Sequence, residues 1–520
     1  MSVARRGSAP DLRVGISRRD WVVLGGLLVL AAALRLPNLE TRSTWGPEQA
    51  AIMVALRTMF TSGAVPLLGL PTGEGAFHHG ALFYYLLAPS AAPAAGANPT
   101  TVVVEMAAAG IATVAATWWL ARDMGGPVAG LVSGFLAAIS AIAVTSSTVI
   151  DNPNLMPLFA AIAIGAAWRA WDRRQLLWWL VAAAGLSVVQ QLHILGVLAL
   201  PSFLALFALD VRRRPGGRRS LLLVGLAGAA ILAAGYLPLL VHEITTGFAE
   251  IRAASGARPG AFEYDLLGNL AFIPLRIATF WLSLPDQIDG PVGPVVVVST
   301  LVFAGAGAWS LARVGGRERA AAAWLAGLWA AGATLLAITF KVRGMYLPFF
   351  PDWYVMYLGP AVIGLIGLAA AVLWRKGSGW RVAAIVAVVT LATWNVAARQ
   401  PPPIAYDGGW PAARAAGDHV AVLAAGSPVA FIDASRAPVD YYAYPFEVAG
   451  GRLADDDTTG WIAVSCFDAW RSATGVTAPC GGPAESEVLM TDLRGRELTL
   501  VERFSPAYGR HISVYRPTQR

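Results

Sequence analysis

The feature that most constrains this chain is a succession of long, nearly uncharged apolar runs separated by short arginine clusters. A helix needs about 20 mostly apolar residues to cross a bilayer, and within lipid only helices and closed barrels satisfy their own backbone hydrogen bonds. The runs are continuous rather than alternating, which argues against an outer-membrane barrel. Charged residues make up 14% of the 520 positions and apolar residues 56%, where a typical soluble protein carries about 25% charge. That balance excludes disorder and argues against a cytosolic enzyme. Spans are predicted near 21–36, 101–121, 127–146, 155–171, 176–192, 194–210, 220–241, 293–312, 320–340, 353–374 and 381–398, about eleven in all. The first could pass for a secretory leader behind Arg18 and Arg19. It ends in Leu34-Arg35-Leu36-Pro37 with no small-residue cleavage site, so a retained anchor is expected.

The net charge of +7 does not point to nucleic acid. Lys341 and Lys376 are the only lysines, and the arginines sit between apolar runs rather than on one basic face. With the amino end placed inside, 20 of the 39 basic residues fall in cytoplasmic segments and 8 in outer loops, the rest lying after residue 398. This positive-inside asymmetry predicts a multi-pass protein of the cell (plasma) membrane, with a cytoplasmic N-terminus and an extracytoplasmic C-terminal part. Residues 266–285 would break the pattern as a further span and are read as an interfacial or re-entrant helix.

Composition changes after Pro401-Pro402-Pro403. Short alternating segments at 429–432, 461–464, 498–501 and 511–515 read as strands, the last two as a β pair. The predicted fold class is therefore a polytopic α-helical membrane protein (residues 1–398) with a small extracytoplasmic α/β domain (399–520). The first outer loop is 37–100, and a second, at 242–292, carries interfacial helices. Cys466 and Cys480 both lie in the C-terminal part. Two thiols alone make a poor zinc cage, and an oxidising compartment favours a disulfide between them.

Charges at outer helix ends are the candidates for chemistry. In Ser43-Thr44-Trp45-Gly46-Pro47-Glu48, Pro47 suits a first helical position and puts Glu48 in the first turn. Glu48 reads either as a plain helix N-terminal acid or as a general base at the membrane surface. Downstream, Phe77-His78-His79-Gly80-Ala81-Leu82-Phe83-Tyr84-Tyr85-Leu86-Leu87-Ala88-Pro89 places a histidine pair beside tandem aromatics. This is either an interfacial aromatic belt or a place for a phosphate, sugar or metal. The outer loop Ile150-Asp151-Asn152-Pro153 holds one acid, in a turn or in a site. Lys341 and Arg343, with Tyr346 in the same segment, defy the positive-inside tendency at the mouth of a span. Snorkelling and stabilisation of a departing phosphate are both open for the two cations. Gln190, Gln191 and His193 make a polar cluster at an outer turn, and His242-Glu243 a weaker one.

The ending Arg35-Leu36-Pro37, the acidic motif at an amphipathic helix, and the stretch His79-Gly80 to Tyr84-Tyr85-Leu86-Leu87-Ala88-Pro89 together resemble the GT-C superfamily of membrane glycosyltransferases. The closest branch resembled is family 39, the protein mannosyltransferase and aminoarabinose transferase group. The likeness covers 20–400 in architecture and 35–90, 146–157 and 341–360 in motif. It implies a polyprenyl-phosphate sugar donor, a lipid, glycan or protein acceptor hydroxyl, and reaction on the extracytoplasmic face. On that likeness Glu48 is the base, Asp151 lies near the donor phosphate, Lys341, Arg343 or both contact it with Tyr346, and Gln191 and His193 line the cavity. Here the family's Asp-Glu pair reads Pro47-Glu48. A divalent metal is possible, with Asp151 and His79 as weak candidate ligands. The rival readings are a lipid-linked glycan transporter and a non-catalytic glycolipid-binding relative.

Overall fold

Capping chemistry starts the first helix. Ser17 Oγ accepts the Asp20 N–H at 3.3 Å and Asp20 accepts the Ser17 N–H at 2.7 Å, a reciprocal pair that satisfies two orphan donors of α1 (Arg18–Arg35). The computed structural model describes residues 15–72, 77–256, 266–282, 292–339, 352–398, 400–434, 441–454, 460–467, 480–491, 493 and 496–518. Lys341, Arg343 and Tyr346 lie outside the described residues.

The first outer loop folds into α2 (Leu39–Arg42), α3 (Pro47–Ser62), a hairpin of β1 (Leu68–Pro71) and β2 (His78–Gly80), and α4 (Leu82–Ala91). Then follow α5 (Pro99–Gly125), α6 (Pro127–Ile139), α7 (Ala141–Ser146), α8 (Met156–Asp172), α9 (Trp178–Leu192), α10 (Leu200–Arg213) and α11 (Arg218–Gly235). After α12 (Leu237–Thr246), α13 (Ala249–Gly256) and α14 (Leu266–Trp281) come α15 (Val292–Arg313), α16 (Gly316–Thr339), α17 (Gly359–Lys376) and α18 (Ser378–Ala398). Among the described residues six helical stretches are long and apolar enough to cross a membrane: Pro99–Gly125, Ile194–Arg213, Pro215–Gly235, Gly316–Ile338, Val355–Lys376 and Ser378–Ala397. Helices also occupy the remaining predicted segments.

One segment differs from the sequence-based expectation. The run 127–146 breaks at Ser140 into α6 and α7, and other groups take over the backbone bonds lost there. Arg35 donates to the carbonyls of Ala138 at 2.8 Å and Ala137 at 3.0 Å. Asn395 accepts the Ala141 N–H at 2.9 Å. A fully buried guanidinium at a helix C-terminus satisfies orphan carbonyls and complements the helix dipole. In α14, Asn269, Ile273, Arg276, Ile277 and Trp281 are buried on one face. The helix packs against α16 and α17.

Arginines gather at one end of the bundle, where they meet acids. Arg122 pairs with Asp20 at 2.6 Å, Arg169 with Asp123 at 3.0 Å, Arg317 with Asp172 at 2.9 Å and Arg214 with Asp210 at 2.8 Å. Arg173 joins Asp123, and Arg375 pairs with Glu318. The opposite end carries the first outer loop and the C-terminal region.

That region starts with α19 (Gly409–Ala424) and builds a four-stranded sheet from β3 (Val429–Asp433), β4 (Trp461–Phe467), β5 (Leu498–Ala507) and β6 (Arg510–Pro517). Strand order is β3-β4-β6-β5. β3 and β4 run parallel, β6 pairs antiparallel with β4, and β5 and β6 form a hairpin. The helices α20 (Ala443–Val448) and α21 (Pro483–Thr491) complete it. Cys466 and Cys480 form a disulfide. Tyr441, Tyr444, Phe446, Ala413 and Val420 belong to the same buried apolar cluster as Trp45, Phe83 and Leu87. The core therefore runs from the bundle into the C-terminal region without a gap.

Candidate active site at the outer end of the bundle

Pro47 occupies the first position of α3, and Gly46 precedes it in extended conformation without a side-chain cap. This leaves Glu48 in the first turn, as the sequence suggested. The next residue ties the helix to the second acidic segment: Gln49 Nε2 donates to the Ile150 carbonyl at 3.0 Å. Glu48 and Asp151 thereby face each other closely enough to titrate as a coupled pair. Glu48 is open to solvent, yet enough protein surrounds its carboxyl that desolvation raises its pKa. Asp151 is half-buried, and its carboxyl is pushed up to about 8, by burial first and by the charge on Glu48 second. No lysine or arginine pairs with either acid among the described residues.

The hairpin β1–β2 supplies the second wall. Alternation along β2 sends its two histidines to opposite sides. His78 faces α13, where Glu250 accepts its backbone N–H at 2.7 Å and meets its Nδ1 at 3.0 Å. His242 Nε2 lies 4.0 Å from the same carboxylate, and Glu243 accepts the Glu250 N–H at 2.9 Å. His79 faces inward, its ring centroid 4.6 Å from that of His193. The Ile194 N–H reaches His79 Nδ1 at 3.4 Å and the Leu195 N–H reaches His193 Nδ1 at 3.3 Å. Each Nδ1 thus accepts, so each neutral ring carries its proton on Nε2. Burial keeps both rings neutral. His79 is lowered to about 4, with the neighbouring His78 adding to the effect, and His193 is lowered to about 3, with His79 adding.

Gly80 lets the hairpin lie directly on α9, because a Cβ there would fall 1.8 Å from Gln191 Oε1. Gln191 is buried, and its Nε2 has no hydrogen-bond partner among the described residues. An orphaned buried amide donor of this kind suits an acceptor oxygen supplied by a ligand. Asn152 closes the arrangement by donating to the Leu192 carbonyl.

Of the residues singled out from sequence, the structure groups Glu48 with Asp151, and His79 with His193 and Gln191. Tyr84 is in the core, and Tyr85 uses its hydroxyl on the Pro66 carbonyl, so both pack the outer loop. Glu250 was not anticipated; its only local signal is its position in the first turn of a short helix. Two carboxylates in mutual repulsion, as at Glu48 and Asp151, could hold a hard divalent cation. Cys466, Cys480 and Glu485 also lie close together, but disulfide sulfurs are not thiolate ligands, and Arg503 and Tyr515 engage Glu485.

Along nearly its whole length the chain superposes on the crystal structure of ArnT from Cupriavidus metallidurans bound to undecaprenyl phosphate. The TM-score is 0.58 at 12% identity, over 96% of this chain and 98% of that one. The fold is that of the GT-C glycosyltransferases. Residues 78–238 match the family model described as dolichyl-phosphate-mannose-protein mannosyltransferase, a stretch containing His78, His79, Asp151, Gln191 and His193. More distant likenesses include the Archaeoglobus fulgidus oligosaccharyltransferase (TM-score 0.49, 15% identity, 83% of this chain and 64% of that one). The arabinosyltransferase EmbB from Mycobacterium smegmatis is another (TM-score 0.42, 14% identity, 85% and 38%). No curated protein matches the sequence.

Proposed function

We propose that this chain is a membrane glycosyltransferase that moves a sugar from a polyprenyl-phosphate donor to an acceptor hydroxyl at the extracytoplasmic face. The observation that carries the reading is the apposition of Glu48 and Asp151 at the end of the bundle away from the arginines. The fold shared with a protein solved with undecaprenyl phosphate bound supports the donor class.

In the mechanism we infer, Glu48 ionises first and Asp151 retains its proton, since burial first and the charge on Glu48 second raise Asp151. The Glu48 carboxylate takes the proton of the acceptor hydroxyl as that oxygen attacks the anomeric carbon. The bond from that carbon to the phosphate oxygen breaks, and its electron pair leaves with the lipid phosphate. Such a single displacement inverts the anomeric configuration. Charge grows on the leaving phosphate, where fixed donors help most. The Nε2–H groups of His79 and His193 and the amide of Gln191 are candidates, and so are Lys341 and Arg343 with Tyr346. Where a divalent cation is used, Glu48 and Asp151 would hold it, and it would neutralise phosphate charge.

The test is release of undecaprenyl phosphate from a panel of undecaprenyl-phosphate-linked hexoses and pentoses, in membranes containing the wild type or Glu48→Gln. Turnover by the wild type and its loss in the variant support the reading. Equal turnover by the two sinks it.

A further inference from the structure

The C-terminal region grips the segment that leads into Glu48. Asp407 Oδ2 accepts the Trp45 backbone N–H at 2.9 Å, and its Oδ1 accepts the Gly409 N–H at 3.0 Å. Arg510 donates to the same carboxylate at 3.4 Å. The Trp45 indole N–H donates to the Tyr441 carbonyl at 2.8 Å, and its ring lies 4.7 Å from Trp410 and 5.6 Å from Tyr444. Just upstream, the Thr41 carbonyl accepts the Ala405 N–H at 2.7 Å, and Thr41 Oγ1 donates to the Pro403 carbonyl at 2.8 Å. Gly409 has φ +64°, and a Cβ there would press on the carbonyls of Glu40, Ser43 and Thr41 at 2.7 to 3.0 Å. Both the backbone angle and the close approach require glycine. A second hold acts further along α3, where Arg57 lies 3.8 Å from Glu447.

These contacts matter because nothing local aims α3. Its N-cap is glycine and offers no side-chain bond. The residue that fixes the approach is Trp45, three positions before Glu48, and Trp45 is held from the C-terminal region. From the other side Gln49 holds the helix to Ile150. We propose that Asp407 and Trp45 are positioning residues that set Glu48 against Asp151, making the C-terminal region part of the catalytic framework rather than a lid over it. This rests on Glu48 being the base. Asp407 suits the task because a carboxylate only accepts, and it receives three donors; an asparagine would have to turn an N–H toward one of them.

The test uses the full-length protein in detergent or nanodiscs, with two readouts. The first is carbodiimide labelling of Glu48 and Asp151 against pH, read by peptide mass spectrometry, which needs no substrate. The second is turnover on the undecaprenyl-phosphate-linked panel. For Asp407→Asn the Glu48 labelling midpoint is expected to fall by about one pH unit, as Glu48 loses the desolvation that raises it. Turnover is expected to fall about 10–100-fold with KM for the donor little changed, as for a small misplacement of a reacting group. Trp45→Phe keeps the ring stack and removes only the indole donor. It should move both readouts the same way by less, and it carries the test if Asp407→Asn does not accumulate. An unchanged Glu48 midpoint overturns the proposal, even if activity drops in step with the folded fraction. A shifted midpoint with wild-type kcat overturns it as well. If Glu48→Gln alone retains full turnover, the base assignment falls and this inference with it. If Glu48→Gln is inactive and Asp407→Asn is normal, only the inference falls.

Discussion

Asp123 and Asp151 are both aspartates at the rim of the same bundle, at opposite ends of it. Asp123 is buried between Arg169 and Arg173, with Arg317 4.0 Å away. Asp151 has an acid, Glu48, for its neighbour. An acid ringed by guanidinium groups ties helix ends together. An acid facing another acid keeps its proton and makes the pair responsive to a third charge or to a proton donor. The difference separates scaffold from candidate chemistry more sharply than residue type or burial does.

The largest effect expected from this contrast is at Glu48. Glu48→Gln should cut release of undecaprenyl phosphate by about 10²–10⁴-fold, the usual contribution of a general base. Asp123→Asn should leave turnover per folded molecule close to wild type. If Asp123→Asn lowers turnover as much as Glu48→Gln does, with melting unchanged, the division between the two ends is wrong. Asp151→Asn should follow, with a loss of about 100-fold, the low end of the same range. Because burial raises Glu48 and the base must be ionised, wild-type activity should fall as pH drops, through a limb above the ordinary carboxylate range. A limb near 4 in a pH–rate profile would contradict the coupled pair.

Stability provides the smaller effects. Removing the Asp123 charge strands Arg169 and Arg173, so Asp123→Asn should cost about 1–3 kcal/mol, seen as a lowered melting midpoint in detergent. Asp151 should act in the reverse direction. Its carboxyl, ordinarily near 3.8, is pushed up to about 8 when folded, so the folded chain holds a proton that the unfolded chain releases from about pH 4 upward. The acid therefore costs stability progressively as pH rises from about 4 to about 8, and by a constant amount above that. Asp151→Asn should raise the melting midpoint by about 1–2 °C at pH 8 and leave it unchanged below about pH 4. A loss of stability at pH 8 would mean that Asp151 has a cationic partner.

Local pattern carried much of this in advance. Period-two alternation marked β3 to β6, and Pro47 marked the start of α3 with Glu48 in its first turn. What periodicity could not carry was partnership across long separations. Ser140 sits inside an apolar run that reads as one helix, and the groups that take up the backbone bonds lost there are remote, Arg35 102 to 103 residues upstream of its acceptors and Asn395 254 residues downstream of Ala141. Glu250 gains meaning only from His78, 172 residues away. Asp407 sits in an Asp-Gly-Gly turn after a proline run, a signal for a bend that says nothing of what its carboxylate receives.

The bond between Trp45 and Asp407 joins residues 362 positions apart. On a ribosome adding about 5–20 residues per second, the acid-bearing helix waits roughly 20–70 s before its anchor exists. Throughout that interval the lower helices can be in place while the α3 approach remains unset. The chain thus carries its own order of assembly, with Glu48 brought to its neighbour last.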